Sequence, residues 1–350
     1  MRELTADDLG DLARGAAILG TGGGGDPYIG RLLAQAALDK YGPVPLTALD
    51  ELPDDAEVLP VAMMGAPTVA LEKLPSIEQV GNAVRALGEY RGKAATHIAC
   101  IEAGGINSLT PVVAAAQLGL PLIDADGMGR AFPELQMVLP TLIGVQATPT
   151  SITDEKGNHQ IVAAIDNHWA ERLARSATVD MGCSTMVSLY GMTGSEARAS
   201  LVDGTVSLCV ELGRLVTSAR NGTAPADAVA ARLDGRRVFD GKVVDVARRT
   251  EQGFARGEAI IEGLDHDAQS RLTIAFQNEN LIARRDGVAV ATVPDLICVL
   301  DRDTGEAITT ETLRYGHRVT VLVAPADPRW HTSDGLALAG PQAFGYELEQ

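Results

Sequence analysis

From Thr96 to Asp126 the chain reads Thr-His-Ile-Ala-Cys-Ile-Glu102, Ala-Gly-Gly-Ile-Asn-Ser-Leu109, Thr-Pro-Val-Val-Ala-Ala-Ala-Gln-Leu118 and, after Gly119, Leu-Pro-Leu-Ile-Asp-Ala-Asp126. Two short, nearly continuous apolar runs enclose a segment that reads as a short helix. Strands buried on both faces and separated by helices are the units of a parallel sheet. The pattern continues upstream. Leu59-Pro-Val-Ala-Met-Met64 is a third apolar run, and residues 28–41 and 76–90 have helical periodicity. Leu9, Leu12, Ala16 and Leu19 are spaced as one helix face behind the acidic cap Thr5-Ala-Asp-Asp8. These segments predict an α/β N-terminal domain with a mostly parallel sheet flanked by helices.

Downstream, extended stretches at 142–154 and 160–165 surround Asp154-Glu-Lys-Gly-Asn158, which has hairpin-turn chemistry. A helix is expected over 167–176, a strand-like segment over 178–189, and one long helix from Ser195 to about Ser218. From Arg237 the texture changes to short strands every eight to twelve residues, separated by turns such as Arg285-Asp-Gly287 and Asp303-Thr-Gly305. That spacing predicts an all-β domain, barrel or sandwich-like. The expected division is an α/β domain over 1–234, a β domain over 235–328 and a tail over 329–350 that returns to the first domain.

Composition narrows the class. The 350 residues are 46% hydrophobic, enough for a large core, and 46 acidic against 29 basic residues give a formal charge of −17. The basic residues do not cluster, so neither a nucleic-acid groove nor an anionic membrane surface is expected as a partner. The acidic start Met1-Arg-Glu-Leu-Thr lacks the pattern of a secretory signal, and no apolar run has the length of a membrane span, so a cytoplasmic protein is expected. Cys100, Cys183, Cys209 and Cys298 are scattered without CxxC spacing, which argues against disulfides and a zinc ribbon.

In a parallel α/β sheet, ligands bind beyond the carboxyl ends of the strands. Three of the expected strands end there in polar or Gly-rich loops, which carry Glu72, Glu102 with Asn107, and Asp124 with Asp126 and Arg130. These six residues are expected to face one crevice. The plainer alternative is that each loop is an ordinary turn with a capping carboxylate. The string Gly22-Gly-Gly-Gly25-Asp26-Pro27 is the most unusual in the chain. Glycine costs roughly 1 kcal/mol relative to alanine within a helix, so four in a row belong to a loop. They are read as a substrate-facing loop whose amides meet a ligand, or as a structural turn. No GxxxxGK[ST] string is present and no strand leads into the glycines, so a nucleotide is not expected.

Cys183, in Met181-Gly-Cys-Ser, is the candidate nucleophile, with a core role as its alternative. The other three cysteines read as core. No HExxH string occurs, but Asp124, Asp126, His168 and His331 have the donor types of a divalent metal site. Glu102, Asp124 and Asp126 could supply a general base. The mixed-sign helix around Trp169, Glu171, Arg172 and Arg175 reads as a solvated face.

Five strings in order, Gly20-Thr-Gly-Gly-Gly-Gly-Asp-Pro-Tyr28, Glu102-Ala-Gly-Gly-Ile-Asn107, Leu120 to Glu134, Phe239-Asp-Gly-Lys-Val-Val-Asp-Val246 and Gly340-Pro-Gln-Ala-Phe-Gly-Tyr346, resemble the bacterial DUF917 family. This is also called the S-methyl thiohydantoin desulfurase family, and its members often accompany hydantoinase/oxoprolinase-type proteins. The resemblance implies an α/β domain followed by a β domain. For function it implies a hydrolase on a small cyclic amide or thioamide, with loss of methanethiol from an S-methyl thiohydantoin. The alternative is a non-catalytic ligand-binding or partner subunit of a hydantoinase-type system. A homo-oligomer fits either.

Overall fold

The computed structural model describes residues 2–65, 76–218, 224–251 and 254–347. Two sheets organise the chain. The first is built from β1 (Arg2–Leu4), β2 (Val44–Thr47), β3 (Glu57–Gly65), β4 (His97–Cys100), β5 (Leu122–Asp126), β6 (Thr150–Thr153), β7 (His159–Val162), β8 (Ser184–Ser188), β9 (Met192–Thr193) and β10 (Val202–Asp203). Its order is β1-β2-β5-β4-β3-β8-β6-β7, with β9 paired to β3 and β10 to β5. The stretch from Thr96 to Asp126 forms two neighbouring parallel strands and the helix Thr110–Leu118 that crosses between them. Together β2, β5, β4 and β3 make a parallel centre. Antiparallel strands β1 and β8, with β6 and β7 beyond, extend it on either side, so the sheet is mixed. Pro60 lies within β3 where its partner changes from β9 to β8, a place that requires no N–H from it.

The second sheet comprises β11 (Arg236–Glu251), β12 (Phe254–Gly263), β13 (Arg271–Gln277), β14 (Glu279–Arg285), β15 (Val288–Thr292), β16 (Leu296–Asp301) and β17 (Arg318–Ala324). All its pairings are antiparallel, in the order β15-β14-β13-β12-β11-β17-β16. Bulges in β11 at Arg237/Phe239 and Val243/Asp245 curl it, and across the curl Asn280 on β14 donates to the Ile297 carbonyl on β16 at 2.9 Å. The fold class read from the sequence is therefore found, with an α/β region followed by an all-β curled sheet.

Strands β16 and β17 join the two layers. Ile297, Val299, Val319, Val321 and Val323 fill the second sheet's own core. Their alternates Leu296, Cys298, Leu300, Leu322 and Ala324 pack into the core of the α/β layer. Period-two alternation thus buries both faces. The final segment closes against the first layer through the fully buried Trp330, whose indole N–H donates to the Met128 carbonyl at 2.8 Å.

Two local expectations are corrected. The single helix over 195–218 is two helices, Gly194–Ser200 and Thr205–Ser218. Between them Val202 and Asp203 pair with β5, and Gly204, at φ +72°, donates to the Asp124 carbonyl at 2.7 Å. Pairing with the edge of β5 outweighs helix continuation. The strand-like segment over 178–189 begins instead as helix, since Asn167–Asp180 is helical and β8 starts at Ser184. The β-branched Thr178 and Val179 mimic a strand, but Ala170, Ala174 and Ala177 carry the helix's buried face to its end. No helix among the described residues is long and apolar enough to cross a membrane.

Candidate functional site

Because β3, β4 and β5 run parallel, their carboxyl ends at Gly65, Cys100 and Asp126 lie along one edge of the sheet. The end of β3 and the loops after β4 and β5 meet the tetraglycine segment and the turn between β13 and β14. They enclose a cavity of about 90 Å3. Its walls come from both layers.

Three glutamates line it, Glu102 just after β4, Glu134 in the loop after β5 and Glu279 at the start of β14. Glu102 and Glu279 are buried, and among the described residues Oε2 of each has no hydrogen-bond partner. Glu102 Oε1 is held by Asn107 Nδ2 at 2.7 Å, and Asn107 is itself fixed by accepting from Met63 N at 2.6 Å. Burial pushes the Glu102 carboxyl up to about 8; Asp126 adds to this, while the Asn107 bond and Arg130 oppose it. The Glu279 carboxyl is also raised, by burial first and then by Glu102, with Arg130 opposing.

Arg130 lies behind the cavity, fully buried. Its guanidinium donates to the carbonyls of Ala131, Pro294 and Asp295 and to Thr21 Oγ1, all at 2.8 to 2.9 Å, and stacks over Phe132 at 4.5 Å. Burial pulls its pKa down to about 10, which leaves it a cation at neutral pH. A buried cation needs a compensating charge. Arg130 favours the charged forms of Glu102 and Glu279, while burial favours their protonated forms.

The glycines bind the layers together. Gly22 O accepts from Thr310 N at 2.7 Å, Thr21 O from Asn280 N at 2.8 Å and Gly24 O from Ile106 N at 2.9 Å. A Cβ on Gly23 would stand 2.0 Å from Glu279 Oε1, so the missing side chain is what lets Glu279 enter the cavity. Gly24 and Gly25 line the cavity; Asp26 caps the next helix, accepting from Tyr28 N at 2.9 Å.

Met63, Met64, Met128, Phe132 and Ile101 also line the cavity. At the rim stands Arg175, 22% exposed, with Nε on Glu171 Oε1 at 2.5 Å and its plane over Phe254 at 4.6 Å.

Of the residues singled out in the sequence, the structure therefore brings Glu102, Asn107, Gly24 and Gly25 to the cavity, with Gly23 against Glu279. Asp126 sits behind them, accepting from Ala103, Met128 and Gly129 backbone N–H groups at 2.8 to 3.2 Å and tying the loops after β4 and β5 together. Burial raises its carboxyl to about 6 against those bonds. Asp124 caps the helix Thr205–Ser218 through Ser207 N at 2.8 Å and Ser207 Oγ at 2.5 Å. Cys183 follows the helix Asn167–Asp180 at φ +64°, with Sγ 4.0 Å from the Val179 carbonyl, and is not among the lining residues. His168 is exposed, and His331 Nε2 is 3.0 Å from Asp295 Oδ1. The four metal donors are not assembled: among the described residues no group of three or more His, Cys, Asp or Glu side chains could hold a metal ion. Glu72 lies outside the described residues.

Sequence reasoning missed Glu279 and Arg175. Glu279 stands in Gln277-Asn-Glu-Asn280, a polar string between two apolar strands that reads as a plain turn. Arg175 is one cation among several on a mixed-sign helix. Neither string carries a local mark of the cleft, which forms only when distant segments meet.

An α/β layer docked on a curled antiparallel sheet, with an acid-lined cleft between them, defines the class of protein. Residues 7–164 match the S-Me-THD-like N-terminal domain and residues 165–350 the S-Me-THD-like C-terminal domain, so the chain belongs to the S-Me-THD-like family. No curated protein matches it. Among solved structures, the crystal structure of a protein from Chromobacterium violaceum is 25% identical, with a TM-score of 0.84 over 99% of this chain and 98% of that one.

Proposed function

We propose that the protein hydrolyses the thioimidate carbon of a five-membered S-methyl thiohydantoin ring and releases methanethiol. The observation that carries this reading is the carboxyl pair Glu102 and Glu279, one from each layer, both lining one cavity with a buried Oε2 that has no partner among the described residues. The family name agrees with it. The ionised member of the pair accepts a proton from water as the water oxygen bonds to the ring carbon. The protonated member then gives its proton to the sulfur as the C–S bond breaks, so water and S-methyl thioimidate become hydantoin and methanethiol. Two carboxyls that share one proton can supply both acid and base. Which oxygen holds the proton belongs to the pair, not to either residue.

Met63, Met64 and Met128 give the methylthio group a polarisable apolar wall. Arg175 at the rim suits a carboxylate on the ring substituent. The decisive assay is methanethiol release from S-methyl thiohydantoins by the purified chain. Glu102→Gln and Glu279→Gln should each lower kcat by on the order of 10³-fold while the protein stays folded. Ring binding by the wild-type chain without turnover would overturn the proposal.

A further inference from the structure

The helix Asn167–Asp180 has two distinct faces. Its inner side carries Glu171, which is buried, and Arg175 at the cleft, whereas an apolar row on its outer side is uncovered. Ile165 is 86% exposed, and Trp169 and Leu173 are 41% exposed each. A spacing of four puts Trp169 and Leu173 in one line along the helix, and Ile165 stands just ahead of its cap. Ile165 precedes the Asp166 cap, where an apolar residue commonly folds back onto the first turn, but here it remains in solvent.

The charges beside this row share its symmetry. Ile165 and Leu173 lie four residues to either side of Trp169; three to either side lie Asp166 and Arg172, an acid and a base. Lay a second helix antiparallel across the first about a two-fold axis at Trp169. Asp166 then meets the partner's Arg172, and the two indoles meet on the axis. An isologous contact requires this self-complementarity, and a surface matched to some other protein does not. The register is specific, because an axis at Leu173 would set Asp166 against the partner's Asp180.

We propose that the protein forms a two-fold homodimer through the outer face of Asn167–Asp180, with Trp169 on the axis and an Asp166–Arg172 ion pair on each side. The side chains are partly arranged for it. The Arg172 guanidinium lies over its own Trp169 ring at 4.5 Å, and Asp166 Oδ1 accepts from Trp169 N at 2.8 Å. A carboxylate accepts several bonds, so this capping is compatible with an ion pair.

Sedimentation of the full chain across the micromolar range should show a dimer. Arg172→Glu alone and Asp166→Lys alone should each weaken it by on the order of 100-fold, because each sets like charges together twice. An equimolar mixture of the two variants should dimerise again, since every pair in the mixed dimer joins opposite charges. That recovery also shows that both variants are folded. A wild-type monomer throughout the range would leave the row to another protein and overturn the proposal. So would a dimer insensitive to Arg172→Glu and Trp169→Ala, or a mixture of the charge variants that stays monomeric.

Discussion

A carboxyl kept protonated in the fold leaves a thermodynamic trace. Glu102 is pushed up to about 8 by burial, whereas the unfolded chain releases the same proton near 4.5. Between those values the folded state binds more protons than the unfolded state, so stability is full below 4.5 and declines as pH rises toward 8. At roughly 1.4 kcal/mol per unit, the decline reaches roughly 3 kcal/mol by pH 7. Glu102→Gln carries no titrating group there. Urea unfolding at pH 5, 6, 7 and 8 should therefore show a variant that gains on the wild type at every step, while its turnover is lost. A variant whose stability runs parallel to the wild type would mean that Glu102 ionises in the fold at its ordinary value.

At the scale of elements, neighbouring glycines of the same loop have different tasks. On Gly23 the three nearest atoms a methyl group would meet all belong to the Glu279 side chain, at 2.0 to 2.8 Å. On Gly24 it would meet the backbone of Gly104 and Gly105 at 2.8 to 3.0 Å, and φ there is +74°. A side chain can turn aside more readily than a backbone. Gly23→Ala should therefore displace Glu279 and reduce kcat at least about tenfold with little change in Tm. Gly24→Ala should cost about 1 to 3 kcal/mol of stability. Calorimetry and the methanethiol assay on both variants separate the two effects. Equal losses of stability in both would remove the distinction.

The same scale shows what can be read from the residues. The parallel centre was legible because β4 and β5 are largely buried and read as nearly continuous apolar runs. Glu102 and Asn107 were legible because a strand's carboxyl end is where a parallel sheet places ligands. Asp124 and Asp126 share that position, but their oxygens are taken up by Ser207 and by the loop amides. Capping and catalysis use the same residue type, and only the surroundings separate them. Glu279 could not be found locally, because its meaning depends on a contact with a glycine more than 250 residues earlier. The break at Gly204 was hidden for a related reason: it depends on the edge of β5.

At the scale of the whole molecule, the proposed catalytic pair is split between layers that share a core through β16 and β17 and a cation through Arg130. Each carboxyl meets the other only while the layers are docked. Turnover then works as a gauge of docking that needs no label. Under rising urea, methanethiol release should fall together with the far-ultraviolet circular dichroism if the molecule melts as one unit. A loss of turnover well ahead of that signal would reveal a state in which both sheets persist and have come apart at the glycine seam.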